Sequence, residues 1–211
     1  MRRFLLATVP LVAFMLPAAA SAGAVFTFTQ VGPNVVMTSS GSVDVSKLVL
    51  RQGVDGWGGT GVEENGFHDI LGGTDVGGGL DVSYGFNQGT DFSPWASATG
   101  PFTDDWFDFA PVGTRDFATY VFDPDPVPGL GILRADLVGD IWTPDQSWTA
   151  VGTIAGLGLV PGTYTVTDAV TGEFLSIVIG PADITVPEPM SLALFGVGLA
   201  GLAISRRRRV A

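Results

Sequence analysis

The chain contains no cysteine. That absence excludes a disulfide scaffold, a zinc–thiolate site and a cysteine nucleophile. Basic residues are scarce as well, with 10 Lys and Arg against 21 Asp and Glu and a net charge of −11. Such a balance excludes nucleic acid as a partner, because phosphate binding needs a basic face. Charged residues of both signs make up 15% of the chain, where about 25% is usual for soluble domains. Histidine occurs once, at His68, and no G-x-S-x-G elbow is present, so a serine nucleophile would have one imidazole to draw on. Long helical periods are missing too: between the two ends no stretch sustains one over twelve residues.

What the chain has in abundance is glycine (30), proline (14) and apolar residues (46%), with a mean hydropathy of +0.38. Glycine and proline together account for 44 of 211 residues, below the roughly 25–30% of a low-complexity chain. A packed core is therefore expected, held by burial alone.

The charge is distributed unevenly. Arg2 and Arg3 open the chain and Arg206 to Arg209 close it. Between Gly23 and Val186 only Lys47, Arg51, Arg115 and Arg134 oppose 20 acids, a net charge of −16. Both basic clusters flank apolar runs. At the N-terminus, Phe4–Leu16 is apolar and small residues follow from Pro17 to Ala22. Ala20-Ser21-Ala22 fits the A-x-A rule, with the cut before Gly23. The run is too short for the roughly 20 residues of a spanning helix, and Pro10 interrupts it. Residues 1–22 thus read as a cleaved signal peptide, addressed to the Sec translocon and signal peptidase.

At the C-terminus, Pro187-Glu188-Pro189 stops any preceding strand, because proline removes a ladder donor. Met190–Ile204 then runs apolar for 15 residues, broken only by Ser191, before the four arginines. As a helix it would be about 22 Å long against roughly 30 Å of hydrocarbon. Arginine snorkelling and local thinning bridge that difference. The arginines belong on the cytoplasmic side and the acidic region outside. Gly196, Gly198, Ala200 and Gly201 keep the helix surface small enough for a partner helix to approach closely.

Val186-Pro187-Glu188-Pro189, the helix with Leu194-Phe195-Gly196 and Gly198-Leu199, and the arginine cluster resemble the PEP-CTERM sorting signal of Gram-negative bacteria that make extracellular polysaccharide. The resemblance implies a membrane-embedded transpeptidase-like enzyme, exosortase, that recognises Pro-Glu-Pro and removes the tail. Pro187, Glu188, Pro189, Arg206, Arg207, Arg208 and Arg209 would form the sorting signal, within a segment spanning 184–211. A second resemblance covers Leu137–Gly180, through Trp142-Thr143-Pro144, Ser147-Trp148, Gly152-Thr153, Leu157-Gly158-Leu159 and Pro161-Gly162-Thr163-Tyr164. It is similar to uncharacterised exported proteins with the same tail, and implies a β domain and no activity.

Residues 23–183 read as one exported domain of short strands. Phe26 and Phe28 alternate with Thr27 and Thr29 over Val25–Val31, the period of a half-buried strand. Val35–Thr38, Lys47–Leu50, Leu80–Tyr84, Phe117–Phe122, Trp148–Ile154, Thr163–Thr167 and Phe174–Ile179 are further candidates. Pro161-Gly162 is a turn signal before Thr163–Thr167, and Thr171-Gly172 turns the chain into Phe174–Ile179, which predicts a terminal hairpin. About eight strands at this spacing predict an all-β fold, an antiparallel sandwich or jelly roll, flanked by the signal helix and the C-terminal transmembrane helix. Gly53–Gly89 reads as long loops over a sheet edge.

Candidate ligand sites are few. His68 reads as a surface loop histidine. Asp104, Asp105 and Asp108, and Asp123 and Asp125, are dense enough for calcium, yet neither stretch matches an EF-hand loop. Val76-Gly77-Gly78-Gly79-Leu80-Asp81 resembles a single repeat-in-toxin calcium turn, which needs stacked copies. Solvated acidic loops are the expectation, with calcium binding weak or absent, no resident cofactor and no metal. Trp57 and Trp95 read as exposed loop residues suited to stacking on a sugar, Trp142 and Trp148 as core. Trp106 stands among the aspartates. The expected role is a non-catalytic protein of the cell surface or extracellular matrix, associated with exopolysaccharide or biofilm. The alternatives are a carbohydrate-binding module and, behind it, a hydrolase with two convergent carboxylates.

Overall fold

The computed structural model describes residues 22–51, 59–64, 68–73, 80–96, 100–107, 111–121 and 128–180. Within them the fold is all-β. Strands β1 (Gly23–Val31), β2 (Asn34–Gly41), β12 (Ser147–Val151), β13 (Gly162–Thr167) and β14 (Phe174–Ile179) form a five-stranded sheet in the order β12-β2-β1-β14-β13. A seven-stranded sheet takes β4 (Val49–Arg51), β5 (Gly61–Glu64), β6 (His68–Gly72), β7 (Val82–Gly85), β8 (Trp106–Phe107), β9 (Phe117–Val121) and β10 (Pro128–Ile132), in the order β4-β7-β10-β9-β6-β5-β8. The short β3 (Val43–Asp44) and β11 (Ile141–Trp142) pair with each other.

The alternation read from the sequence decides which side of each strand is buried. Phe26 and Phe28 on β1, Met37 on β2, Trp148 on β12 and Leu175 and Ile177 on β14 share one core with Ile70, Val82, Leu130 and Ile132 of the larger sheet. Phe26 stacks on Phe117 across the two sheets at 5.0 Å, and Phe117 stacks on Trp148 at 6.2 Å. Two sheets thus close on a single apolar layer in the manner of a β-sandwich. Each buried Phe or Leu removes enough apolar area from water for roughly 1.5–3 kcal/mol. That burial replaces the disulfides the chain lacks.

All eight expected strands are present, with shifted ends. Lys47 lies in a 3-10 turn, Val45–Lys47, because the Asp44 side chain accepts from Ser46 N and caps it. The strand at Trp148 stops at Val151, and Ile154 caps a further 3-10 turn. The predicted hairpin of β13 and β14 is found, with Gly172 at a φ of 77° in its turn. Only glycine holds such a φ without steric cost.

Two expectations are corrected. The sheets are not wholly antiparallel: β1 pairs with β14 in parallel, Gly23 with Phe174 through Phe28 with Ile179. A jelly roll has no such pair, and the reason here is that the last strand enters the sheet centre between β1 and β13. Gly53–Gly89 is not a run of loops over an edge, since it supplies β5, β6 and β7. β7 is the strand expected at Leu80–Tyr84, whereas β5 and β6 are short and β6 begins His68-Asp69, so neither length nor alternation marks those two. The expected signal helix and C-terminal transmembrane helix fall outside the described residues. Among those described, no helix is long and apolar enough to cross a membrane.

Candidate functional site

Among the described residues, the most densely bonded polar site surrounds the β13–β14 turn. Asp168 is buried and accepts hydrogen bonds from Asn87 N at 2.5 Å, Asn87 Nδ2 at 2.9 Å, Val170 N at 2.9 Å, Thr171 N at 2.8 Å and Thr171 Oγ1 at 2.9 Å. Burial alone would push this carboxyl up, but the donors of Asn87, Thr171 and Val170 together hold it below its ordinary value. At the other end of the turn Glu173, also buried, accepts from Lys47 Nζ at 2.7 Å and from Asp44 N at 3.0 Å. The bond to Glu173 is the main reason the Lys47 ammonium is held above its usual range. Both carboxylates spend their lone pairs on the fold. They tie the last hairpin to the β3–β4 segment and to the loop after β7, and leave little for a substrate.

A second acidic site lies on β5 and β6. Glu63 and Asp69 are register partners. Asp69 is buried, and its Oδ1 accepts from Thr119 Oγ1 at 3.5 Å, while Ile70 N donates to that same hydroxyl at 2.8 Å. Burial, and then the Glu63 carboxylate, push Asp69 up to about 8 against the pull of Thr119. Glu63 is itself raised, by burial first and Asp105 second. A protonated Asp69 at neutral pH is a group able to give or take a proton. It is only 4% exposed, however, and a general acid must reach the atom it serves.

The residues singled out from sequence fare unevenly. His68 stands on β6 opposite Glu64 rather than in a loop, because β6 pairs through it to β5; its side chain is outside the described residues. Asp104 and Asp105 are exposed, and they serve the backbone: Asp105 Oδ1 accepts from Glu64 N at 2.6 Å and Asp104 Oδ1 from Asp105 N at 3.0 Å. Asp108, Asp123 and Asp125, Val76–Gly79 and Trp57 fall outside the described residues. Asp81 accepts from Arg134 N at 2.6 Å. Among the described residues no group of three or more acidic or histidine side chains is placed to hold a metal ion.

Trp95 corrects an expectation. It is 1% exposed, and its Nε1 donates to Tyr164 O at 3.1 Å. The Ser93-Pro94 turn drives the ring into the core instead of presenting it to solvent. Trp142 and Trp148 are buried as expected, and Trp106 is half-buried. No sugar-stacking platform forms from these four.

Sequence reasoning missed Asp69, Asp168 and Glu173. For Asp168 a signal existed, since an Asp three residues before Thr171-Gly172 is the start of an Asx turn. Nothing local marks Glu173, whose partners lie more than 120 residues away.

The remaining site is the pair of chain ends. Ala20 is outside the described residues, whereas Ala22 and Gly23 are within them. Ala22 O accepts from Phe174 N at 3.3 Å and Gly23 O from Ser42 N at 3.1 Å. Gly180 N donates to Phe28 O at 3.1 Å as β14 ends. Because β1 and β14 are parallel, the segment before Gly23 and the segment after Gly180 leave from opposite ends of the sheet. Pro187, Glu188, Pro189 and Arg206–Arg209 fall outside the described residues, so sequence comparison decides their nature. Residues 185–209 match the PEP-CTERM protein-sorting motif. A chain carrying PEP-CTERM is an exported protein sorted by an exosortase-type membrane enzyme, with the motif as its membrane-anchored sorting signal. The PEP-CTERM match stops short of Leu137–Gly180. No curated protein and no solved structure matches the chain.

Proposed function

We propose that the chain is a non-catalytic component of the cell surface or extracellular polymer matrix, held at the inner membrane by its tail until that tail is removed. The observation that carries the reading is where the motif stands. Every described strand lies between Gly23 and Ile179, and the motif begins at 185. Its removal therefore takes no strand from either sheet. The prolines at 187 and 189 keep the recognition element out of any ladder and open to a protease. A non-catalytic role is supported by the use of the buried acids: Asp168 and Glu173 are consumed by structural bonds, and Asp69 is buried.

Mass spectrometry of protein recovered from the cell surface or medium tests this. A new C-terminus close to Val186 is expected. Chains ending at Ala211 in that fraction would sink the processing step. Replacing Glu188 or the arginine cluster should leave uncleaved precursor in the inner membrane.

A further inference from the structure

We propose that the end of the sandwich from which the tail departs, tipped by Val31, Pro33 and Val151, rests on the lipid surface that holds the tail, a contact that depends on the tail being a membrane anchor. β1 and β14 run parallel, with Phe28 opposite Ile179, so the chain leaves Gly180 in the direction of Val31. Val31 pairs with Asn34, and Asn34 with Val151, in one register row across three strands. Each valine lies three residues beyond a core ring, Phe28 or Trp148, and so turns to the opposite face of the sheet. The two are 54% and 78% exposed, and Pro33, in the turn between β1 and β2, is exposed as well. A neutral side chain holds this tip in shape. Gln30 Nε2 donates to Gly32 O at 2.9 Å, Asn34 O at 3.0 Å and Gly152 O at 3.1 Å, and its Oε1 accepts from Ile154 N at 2.9 Å.

Charge selects the bilayer as the occupant. Residues 23–186 carry 20 acids against four bases, yet Ala22 to Val43 and Gln146 to Thr167, which build this end, contain no acidic or basic residue. Asp44, Lys47, Asp168 and Glu173 all stand at the other end, where Gly23 pairs with Phe174. Asp104 reaches the turn at Gly158 through Thr103 N, which donates to Gly158 O at 2.8 Å. It comes from the side of the larger sheet, since Phe102 packs on the core ring of Phe28 at 6.1 Å, and leaves the valine row clear. Apolar side chains with no carboxylate among them partition into a headgroup layer, whereas the acidic end would be repelled by anionic lipid. Val170 is 72% exposed at that acidic end, so exposure alone does not make the tip.

The length of the connection brings the tip to the surface. Residues 181–189 separate Gly180 from the apolar run at Met190. Nine residues reach at most about 32 Å. Three of them only bring the chain level with Val31, and the headgroup layer takes up roughly 5–7 Å of the rest. The tip therefore stays within about 15 Å of the headgroups even when the connection is fully drawn out. Tethering makes the contact intramolecular, at an effective concentration on the order of millimolar. Two valines and a proline suffice under that condition. Without the tail so small a patch does not hold the domain, and cleavage releases it.

The chain has no cysteine, so single-cysteine variants report the contact directly. The full chain, recovered from cells with its tail, is reconstituted into phosphatidylethanolamine–phosphatidylglycerol vesicles and treated with a water-soluble maleimide. Val31→Cys and Val151→Cys should react several-fold more slowly than Val170→Cys. Val31→Asp should bring the rate of Val151→Cys up to that of Val170→Cys while leaving the circular dichroism unchanged. A chain that fails to float with the vesicles would overturn the anchor and this contact with it. A chain that floats but reacts equally at all three positions would overturn the contact alone. Protection seen in cells making the sorting enzyme, and absent from the vesicles, would also overturn it, by making the tip a protein-docking surface.

Discussion

Gly23 and Phe174 are register partners at the start of the parallel pair, and the phenyl ring of Phe174 occupies the space a side chain at 23 would need. A Cβ built on Gly23 would lie 2.4 Å from the ring. Glycine stands there because the first exported strand and the last one meet ring to backbone. Gly23→Ala should therefore destabilise the domain by about 1–3 kcal/mol, the usual cost of overpacking. Phe174→Ala in the same chain should recover part of that loss. Urea midpoints of the two variants and their combination check the coupling; simple additivity would show that the ring moves aside freely.

Stability should fall as pH rises from about 4 to about 8. The folded state keeps a proton on Asp69 up to about 8, whereas the unfolded chain loses it near an ordinary value of about 3.9. Between those two values the folded state binds more protons, so rising pH favours unfolding, and above the upper one the loss is complete. Asp168 works in the opposite sense. Its lowered pKa stabilises the fold above the ordinary carboxylate range, and that contribution disappears as pH falls through its folded value. Asp69→Asn should raise the denaturation midpoint at pH 8 and flatten the decline between pH 5 and 8. A variant as pH-sensitive as the wild type would refute this assignment.

Glu173 should matter more than Lys47. Removing the buried carboxylate leaves Asp44 N–H without its acceptor and the Lys47 ammonium with only Asp44 Oδ2 at 3.5 Å, at a cost of about 1–3 kcal/mol. Lys47 is partly exposed, so Lys47→Ala loses an interaction that water partly screens. The thermal midpoint of Glu173→Ala should drop by several degrees, and that of Lys47→Ala by less.

Trp95 should respond as a core residue. Trp95→Ala is expected to cost about 3–5 kcal/mol. Trp95→Phe keeps most of the packing and gives up the bond to Tyr164 O, a loss of about 1 kcal/mol. Adding oligosaccharide should leave the emission of Trp95, isolated in a chain whose other tryptophans are phenylalanine, unchanged.

Much of the architecture was legible residue by residue. Phe26-Thr27-Phe28-Thr29 carries its own inside and outside, because a strand turns successive side chains to opposite faces. Thr171-Gly172 carries its own reversal, because glycine alone enters the positive-φ region freely. The tail motif was legible for the same reason: prolines, an apolar run and an arginine cluster act locally, through backbone restriction and partition into the membrane, and need no distant partner. The sequence by itself therefore determined that this is a β protein with a sorting tail. What only the tertiary structure decided are the long-range pairings. Nothing in Phe174–Ile179 announces a parallel partner some 150 residues earlier, and nothing in Glu173 announces Lys47. His68–Gly72 becomes a strand only because β5 and β9 flank it, and Trp95 becomes core only because β13 offers its indole a carbonyl. Backbone hydrogen bonds between strands are indifferent to side-chain identity. Which strands meet is settled by the one arrangement that buries all the apolar faces at once.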